Sequence, residues 1–356
     1  MQRVISFLKK LTKKDEPLII FHNDADGMCS AALMNRCLKY LIRKRADGIS
    51  QPMPPEKNLM SKIKMCLPSK IIFVDLAIDQ KKMFLKRLSN FCDILIIDHH
   101  PVINNMNSNR IIHFNPRFKK NVYQSASYLV YKICSRFIEF NHKRNLWIAL
   151  VGAIGDYDLS ASKDIIREAK NLYPEVITKI DDKSVRGSVF GQIAEMLTAG
   201  KAIGMRIEDL ERIVEEAKTY KDVLSNEKLV NVYRKIHEEI ENIIIDAKSK
   251  FDPNKKIFFY EIKTKYSLRA TIATRLAEMW PDKVIVVWQK VRNKIRIASR
   301  NQGDRFDMGK LLNKAVQPGM KATFGGHPAA AGGVIDLKDW EDFKENLERL
   351  VEGLNQ

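Results

Sequence analysis

Short apolar runs separated by longer amphipathic stretches set the pattern of this chain. Pro17 to Phe21, Lys70 to Val74 and Asp93 to Ile97 are β-branched or aromatic, too short for helices and bounded by polar positions, and are predicted as buried strands. Between the first two, Met28 to Arg45 repeats apolar residues at three- to four-residue steps (Ala32, Leu33, Cys37, Leu41, Ile42), which predicts a helix. Strand, helix, strand alternation implies a parallel sheet with right-handed crossovers. Gln51 to Pro55 holds three prolines and reads as a loop, and a helix from about Gln80 to Leu88 leads into the third strand. From Ser160 to Lys250 the pattern turns helical and heavily charged. It closes with an amphipathic stretch over Glu227 to Lys248 that aligns Leu229, Val232, Ile236, Ile240, Ile243 and Ile244. Asp252-Pro253-Asn254 interrupts it as a domain junction. Ile257 to Ile262, Val284 to Val287 and Lys294 to Ala298 are predicted strands around a helix over Ser267 to Met279. The expected architecture is α/β: a parallel-sheet domain over 1–160, a helical extension and linker over 161–252, and a smaller α/β domain over 253–356.

The 356 residues suit roughly two domains, each large enough for its own core. With 45% hydrophobic and 29% charged residues the chain is neither disordered, collagen-like nor membrane-embedded. Sixty-one Lys and Arg against 43 Asp and Glu leave +18, which favours anionic partners such as nucleic acid or an acidic membrane surface, with a basic face kept for solubility as the alternative. Cys29, Cys37, Cys66, Cys92 and Cys134 show no CxxC spacing and read as reduced, mostly buried thiols. The apolar core Val4 to Leu8 is too brief for a signal segment, and the longest apolar run, Leu146 to Ile154, falls well short of the ~20 residues a membrane span needs. A cytoplasmic protein without membrane association is expected.

The acids and histidines fall just after the predicted strands. His22-Asn23-Asp24-Ala25-Asp26-Gly27 follows the first run, Asp75 the second, and Asp98-His99-His100-Pro101 the third. In a parallel sheet the carboxyl ends of the strands share one edge, so these groups converge there. The two-residue spacing of His22, Asp24 and Asp26 suggests one side of an extended backbone, with Gly27 permitting a tight turn into the helix. Packed carboxylates resist ionisation unless cations neutralise them, and mixed Asp/His ligation suits Mn²⁺, Fe²⁺ or Zn²⁺. Alone, His22 or Asp75 would read as a surface loop residue, and Asp156, after Gly152-Ala-Ile-Gly155, as a solvated helix end. In the last third, Lys294, Arg296 and Ala298 share a strand face that ends in Ser299-Arg300, a candidate phosphate grip or a solvated basic face. Phe324 to Gly333 combines four glycines with His327, which suggests a loop whose backbone N–H groups approach an anion.

The order HNDADG, Asp75, DHHP, GxxGD and GGHPAAAGG resembles the DHH/DHHA1 phosphoesterase superfamily, which includes RecJ-type exonucleases, NrnA-type nanoRNases and cyclic di-AMP phosphodiesterases. The resemblance runs from about His22 to Gly333 and implies a metal-bearing DHH domain and a substrate-gripping DHHA1 domain. It further implies two divalent ions, Mn²⁺ foremost: His22 and Asp24 on one, Asp26, His99 and Asp156 on the other, and Asp75 between them. His100 then faces the scissile phosphate, with Asp98 orienting a histidine. Arg300, His327 and the Gly325-Gly326 backbone contact substrate phosphate, and Asn115-Pro116 is structural. The activity implied is metal-assisted hydrolysis of single-stranded DNA or RNA, or of short oligonucleotides, to mononucleotides. A cyclic dinucleotide phosphodiesterase is the close alternative and a non-catalytic nucleic-acid-binding replication scaffold a further one. Beyond Gly333 only a helical tail, Trp340 to Leu354, remains, which departs from long bacterial RecJ proteins and speaks against processive action on long DNA. A homodimer stays open, as do protein partners and cleavage polarity.

Overall fold

A computed structural model describes residues 1–120, 122–137, 140–303 and 306–353, with the side chains of His142 and His327 outside the description. The chain forms two compact units, Met1–Tyr233 and Arg234–Gln356.

The first unit opens with α1 (Gln2–Lys9), β1 (Pro17–His22), α2 (Ala25–Ile42), β2 (Asp47–Gln51), α3 (Leu59–Cys66), β3 (Lys70–Val74), α4 (Lys82–Leu88), β4 (Asp93–Ile97) and β5 (Ile111–Phe114). The five strands form one all-parallel sheet in the order β2-β1-β3-β4-β5. Alternate residues divide between its faces. Ile19, Phe21, Ile72, Val74, Leu95 and Ile97 join the core containing α2, whereas Leu18, Ile20, Ile71, Phe73, Ile94 and Ile96 pack with residues of α3 and α4. The three strands expected from apolar runs are present. β2 and β5 escape that reading because β2 is a half-exposed edge strand with one aliphatic residue and β5 is only four residues long. Strand order reverses at β1, so β1, β3 and β4 lie side by side with β3 in the middle, and their carboxyl ends flank a topological switch point.

Helices follow: α5 (Ala126–Cys134), α6 (His142–Gly155), α7 (Lys163–Leu172), α8 (Asp182–Arg186), α9 (Val189–Ile203), α10 (Ile207–Glu216), α11 (Tyr220–Leu224) and α12 (Glu227–Ser249). Residues of α5 to α11 join the core against α2, and α12 runs from that unit into the second. A buried clip fastens α10 to α2. Arg36 donates to the carbonyls of Val214 (3.0 Å) and Glu215 (2.9 Å) at the end of α10, while Glu211 accepts from Asn35 (3.0 Å) and Arg45 (2.5 Å).

The second unit adds β6 (Ile257–Glu261), α13 (Arg269–Met279), β7 (Val284–Val291), β8 (Lys294–Arg300), α14 (Met308–Lys314), β9 (Ala322–His327), β10 (Ala330–Asp336) and α15 (Trp340–Gly353), whose expected end at Leu354 lies outside the described residues. Its mixed sheet runs β6-β7-β8-β10-β9, with only β6 and β7 parallel among its pairs. Residues of α14 and α15 pack with Val284, Val286, Ile295 and Ile297 of this sheet, and α13 packs on β7 and β8. Phe324 to Gly333 is therefore not a loop but a hairpin, with Gly326 opposite Ala331 and Gly333 opposite Phe324. Glycine suits this pair because backbones pass closely: a Cβ on Gly326, where φ is 149°, would lie 2.3 Å from the Ala330 oxygen.

Candidate metal centre and anion pocket

The acids and imidazoles converge at the carboxyl edge of the first sheet. His22 ends β1, Asp75 follows β3, and Asp98 and His99 follow β4. His22 Nδ1 lies 2.6 Å from Asp24 Oδ2 and 3.5 Å from Asp75 Oδ2, and His99 Nε2 lies 3.0 Å from Asp75 Oδ1. Three sets of ligand atoms fall within 4.8 Å of one another: His22, Asp24 and Asp75; Asp26, His99 and Asp156; and Asp75, His99 and His100. Asp75 belongs to two of them because its strand is the middle one. Its backbone is left-handed, with φ of 59°, a conformation costing about 1–2 kcal/mol in a non-glycine residue, and its N–H is tied to the Ile97 oxygen at 3.0 Å.

The first motif is not extended throughout. Asp24 is the N-cap of α2 and accepts from Gly27 N at 3.0 Å, so Asp26 and Gly27 lie in the first helical turn. The capping preference of Asp overrides the two-residue alternation and turns Asp26 inward. There Asp26 accepts from Ala126 N (2.7 Å) and Ser127 N (2.9 Å), at the positive N-terminus of α5. Gly152 on α6 leaves room for this arrangement, since a Cβ there would meet Ser127 Oγ at 2.3 Å and Asp26 Oδ1 at 2.9 Å.

His100 Nδ1 sits 2.8 Å from Asp98 Oδ1, so the acid without a position in the ligand sets orients His100. Asn115 donates to the His100 carbonyl (2.9 Å) and Arg117 to the His99 carbonyl (2.7 Å), fixing the backbone of the DHH run. Several neighbours lacked a sequence signal. Tyr123 donates its hydroxyl to Asp156 Oδ2 at 2.8 Å, and Lys201 of α9 donates to Asn23 Oδ1 at 2.8 Å and feels the charge of Asp24. Asp158, two residues beyond Asp156, accepts from Ser125 N at 2.6 Å and Ser162 Oγ at 2.9 Å.

Burial and then the Asp75 charge push Asp26 up to about 7, and burial followed by Asp26 raises Asp156 well above the carboxylate range. Burial disfavours charge on His22 and His99, yet Asp24 and Asp75 around the first, and Asp75 and Asp156 around the second, hold both imidazoles protonated to about pH 10. Against its own burial, Asp24 is held far below the ordinary range by His22. Crowded acids and imidazoles that hold on to their protons are the groups a cation would neutralise. The donor set fits divalent ions: carboxylate oxygens mixed with imidazole nitrogens, and a buried His99 Nδ1 with no hydrogen-bond partner, 3.6 Å from Asp156 Oδ2.

In the second unit, a cavity of about 330 Å³ is lined by Ser267, Arg269, Ala298, Arg300, Gly325 and Ala330 among others. Arg300 is aimed by hydrogen bonds from Nε to Thr274 Oγ1 (3.1 Å) and from Nη1 to the Ser299 carbonyl (2.8 Å). Ser299 turns the other way: its buried hydroxyl donates to the Ala331 oxygen at 3.1 Å, so it takes no part in a phosphate grip. Gly325 lines the cavity, Gly326 is the close-approach position of the hairpin, and the His327 side chain lies outside the description. Arg269, at the start of α13 and hydrogen-bonded to Gln289, had no motif to announce it.

Fold and site together define a two-part α/β protein with a metal-ready sheet edge and a separate cationic pocket. The DHH family N-terminal domain matches residues 17–155 and the DHHA1 domain residues 254–355, and the chain belongs to the DHH/DHHA1 superfamily. No curated protein matches it by sequence. Among solved structures, RecJ in complex with Mn²⁺ from Thermus thermophilus is similar at 16% identity and a TM-score of 0.75, over 99% of this chain and 54% of that one. The chain thus spans about half the length of that relative. An exonuclease RecJ bound to manganese is similar at 16% identity and a TM-score of 0.69, over 99% of this chain and 94% of that one. CDC45 from Entamoeba histolytica is similar at 9% identity and a TM-score of 0.57, over 99% and 98%. These likenesses are of fold. Among the described residues no helix is long and apolar enough to cross a membrane.

Proposed function

We propose that this chain is a metal-dependent phosphodiesterase that hydrolyses single-stranded or very short oligonucleotides to mononucleotides. The observation that carries the reading is the pair of ligand sets, His22, Asp24, Asp75 and Asp26, His99, Asp156, drawn together at one sheet edge. His22 and Asp24 would hold one divalent ion, Asp26, His99 and Asp156 another, and Asp75 both, with Mn²⁺ the ion of choice. Such a pair, when bound, supplies an activated water and neutralises charge growing on the phosphorus oxygens. Asp98 on Nδ1 fixes the His100 tautomer, so Nε2 is the nitrogen that hydrogen-bonds or moves a proton at the leaving oxygen. Arg300, Arg269, His327 and the Gly325-Gly326 strand hold a further phosphate of the substrate. The RecJ exonuclease likeness and the +18 charge favour nucleic acid over a small inorganic substrate, and the four buried, unpaired cysteines fit a cytoplasmic setting.

A cavity of about 330 Å³ with two guanidiniums also suits a cyclic dinucleotide, which keeps that phosphodiesterase as the second reading. The complete ligand set counts against a scaffold without catalysis. The test is a product time course with Mn²⁺ or EDTA on end-labelled RNA and DNA, from dinucleotides to about twenty nucleotides, beside cyclic di-AMP. Metal-dependent ladders ending in mononucleotides are expected. Cleavage confined to cyclic di-AMP would establish the second reading, and no cleavage with any divalent ion would leave only binding. Binding that weakens steeply with salt accompanies several phosphate contacts, and a flat response a compact dinucleotide site.

A further inference from the structure

Tyr157 follows the ligand-bearing Asp156 and is not used by the chemistry above. It closes α6 in a Schellman turn, its N–H on the Ile154 oxygen (3.1 Å) and that of Asp158 on the Ala153 oxygen (2.8 Å). The residue at that place must be left-handed, and Tyr157 has φ of 58°. Glycine is the usual solution, and a bulky side chain there is an outlier. The ring does not repay the backbone by filling the core, because Tyr157 is 54% exposed. Instead the guanidinium of Arg186, at the end of α8, lies 4.1 Å from the ring centroid. Tyr123 is 42% exposed, donates its hydroxyl to the Asp156 carboxylate, and has Arg117 5.8 Å from its ring centroid. Two exposed phenol rings, each accompanied by a guanidinium, thus belong to residues tied to Asp156, Tyr123 through its hydroxyl and Tyr157 as the next residue of the chain.

A nucleotide whose phosphate is held through a divalent ion at Asp156 would have its base within reach of the residues next to that acid. An aromatic face backed by a guanidinium stacks on any base, because every base has a π-face. We propose that Tyr157, backed by Arg186, is a stacking shelf for the nucleobase beside the scissile phosphate, which makes single strands rather than duplexes the substrate. The shelf rests on the oligonucleotide reading above. Neither ring carried a motif, and the signal that finds Tyr157 is a large side chain where the turn asks for glycine.

The experiment compares two fluorescein-labelled tetranucleotides of the same phosphate chain, one with bases and one abasic throughout, their linkages phosphorothioate to suppress cleavage, with Mn²⁺-loaded protein. Wild type is expected to bind the base-bearing strand more tightly. Tyr157→Gly relaxes the turn, so its Tm should not fall, yet it should bind that strand about tenfold more weakly and leave abasic affinity unchanged. Tyr157→Asn, whose side chain also tolerates this backbone, should behave alike, and Tyr157→Phe should stay within about twofold of wild type. On cleavable strands the Gly variant should raise KM with kcat little changed. Wild-type affinity of both the Gly and Asn variants for the base-bearing strand, or an equal loss on the abasic one, overturns the shelf alone. Failure of wild type to bind or cleave any single strand overturns the oligonucleotide reading and the shelf with it.

Discussion

The sheet edge of the first unit and the pocket of the second are opposites in charge and in construction. At the edge, Asp24, Asp26, Asp75, Asp98 and Asp156 crowd around three imidazoles, and a buried imidazole nitrogen lacks a partner. In the pocket, no acid occurs among the described lining residues; Arg269 bonds to the Gln289 amide, and Arg300 to the Thr274 hydroxyl and the Ser299 carbonyl. One place calls for cations and the other for anions. On the proposed reading a phosphodiester substrate with divalent ions would draw on both, and disabling each should fail in a different kinetic parameter.

The largest effect is expected at Asp75. Asp75→Ala should lower kcat by about a thousandfold or more while the far-ultraviolet circular dichroism stays native, because the residue is shared by two ligand sets and its left-handed backbone is not a source of stability. Retained activity at native metal content would remove Asp75 from the shared position.

Metal affinity should follow pH. In the metal-free chain His22 and His99 keep protons to about pH 10 and Asp26 to about 7, above the ordinary 6.5 and 3.8. The folded chain therefore binds more protons than the unfolded one, so these groups lower stability as pH rises from about 4 to 10. Divalent ions displace those protons, and apparent affinity should rise about ten- to hundredfold per pH unit between roughly pH 6 and 8. Calorimetric titration with Mn²⁺ at three pH values measures it; a flat affinity would mean the imidazoles are not ligands. Asp98→Asn separates positioning from ligation: kcat should fall about ten- to hundredfold, with Mn²⁺ affinity unchanged.

The two regions were also unequally legible in the sequence. The candidate metal ligands follow strand ends, so apolar runs located β1, β3 and β4 and the motifs after them named His22, Asp75 and His99. The inward turn of Asp26 was not legible, since it depends on Asp24 capping α2 and on the α5 N-terminus meeting it about one hundred residues later in sequence. Nor was the switch point, because β2 lacks an apolar run. In the second unit Gly325, Gly326 and Arg300 stood out by composition. Whether the glycines make a loop or a hairpin is decided by register against β8, which carries no local signal, and Ser299 faces away from the pocket for the same reason.

The smallest expected effect tests the pocket where sequence was silent. Arg269→Ala should raise KM about tenfold with kcat and Mn²⁺ affinity near wild type, the loss anticipated for one charge-assisted contact to a substrate phosphate. Arg269→Lys should recover only part of the KM, because an ammonium lacks the fork that bonds both Gln289 and an anion. An unchanged KM in the Ala variant would confine phosphate recognition to Arg300 and the hairpin; a fall in kcat equal to the rise in KM would mean that the pocket acts on the transition state and that the division between the two regions is false.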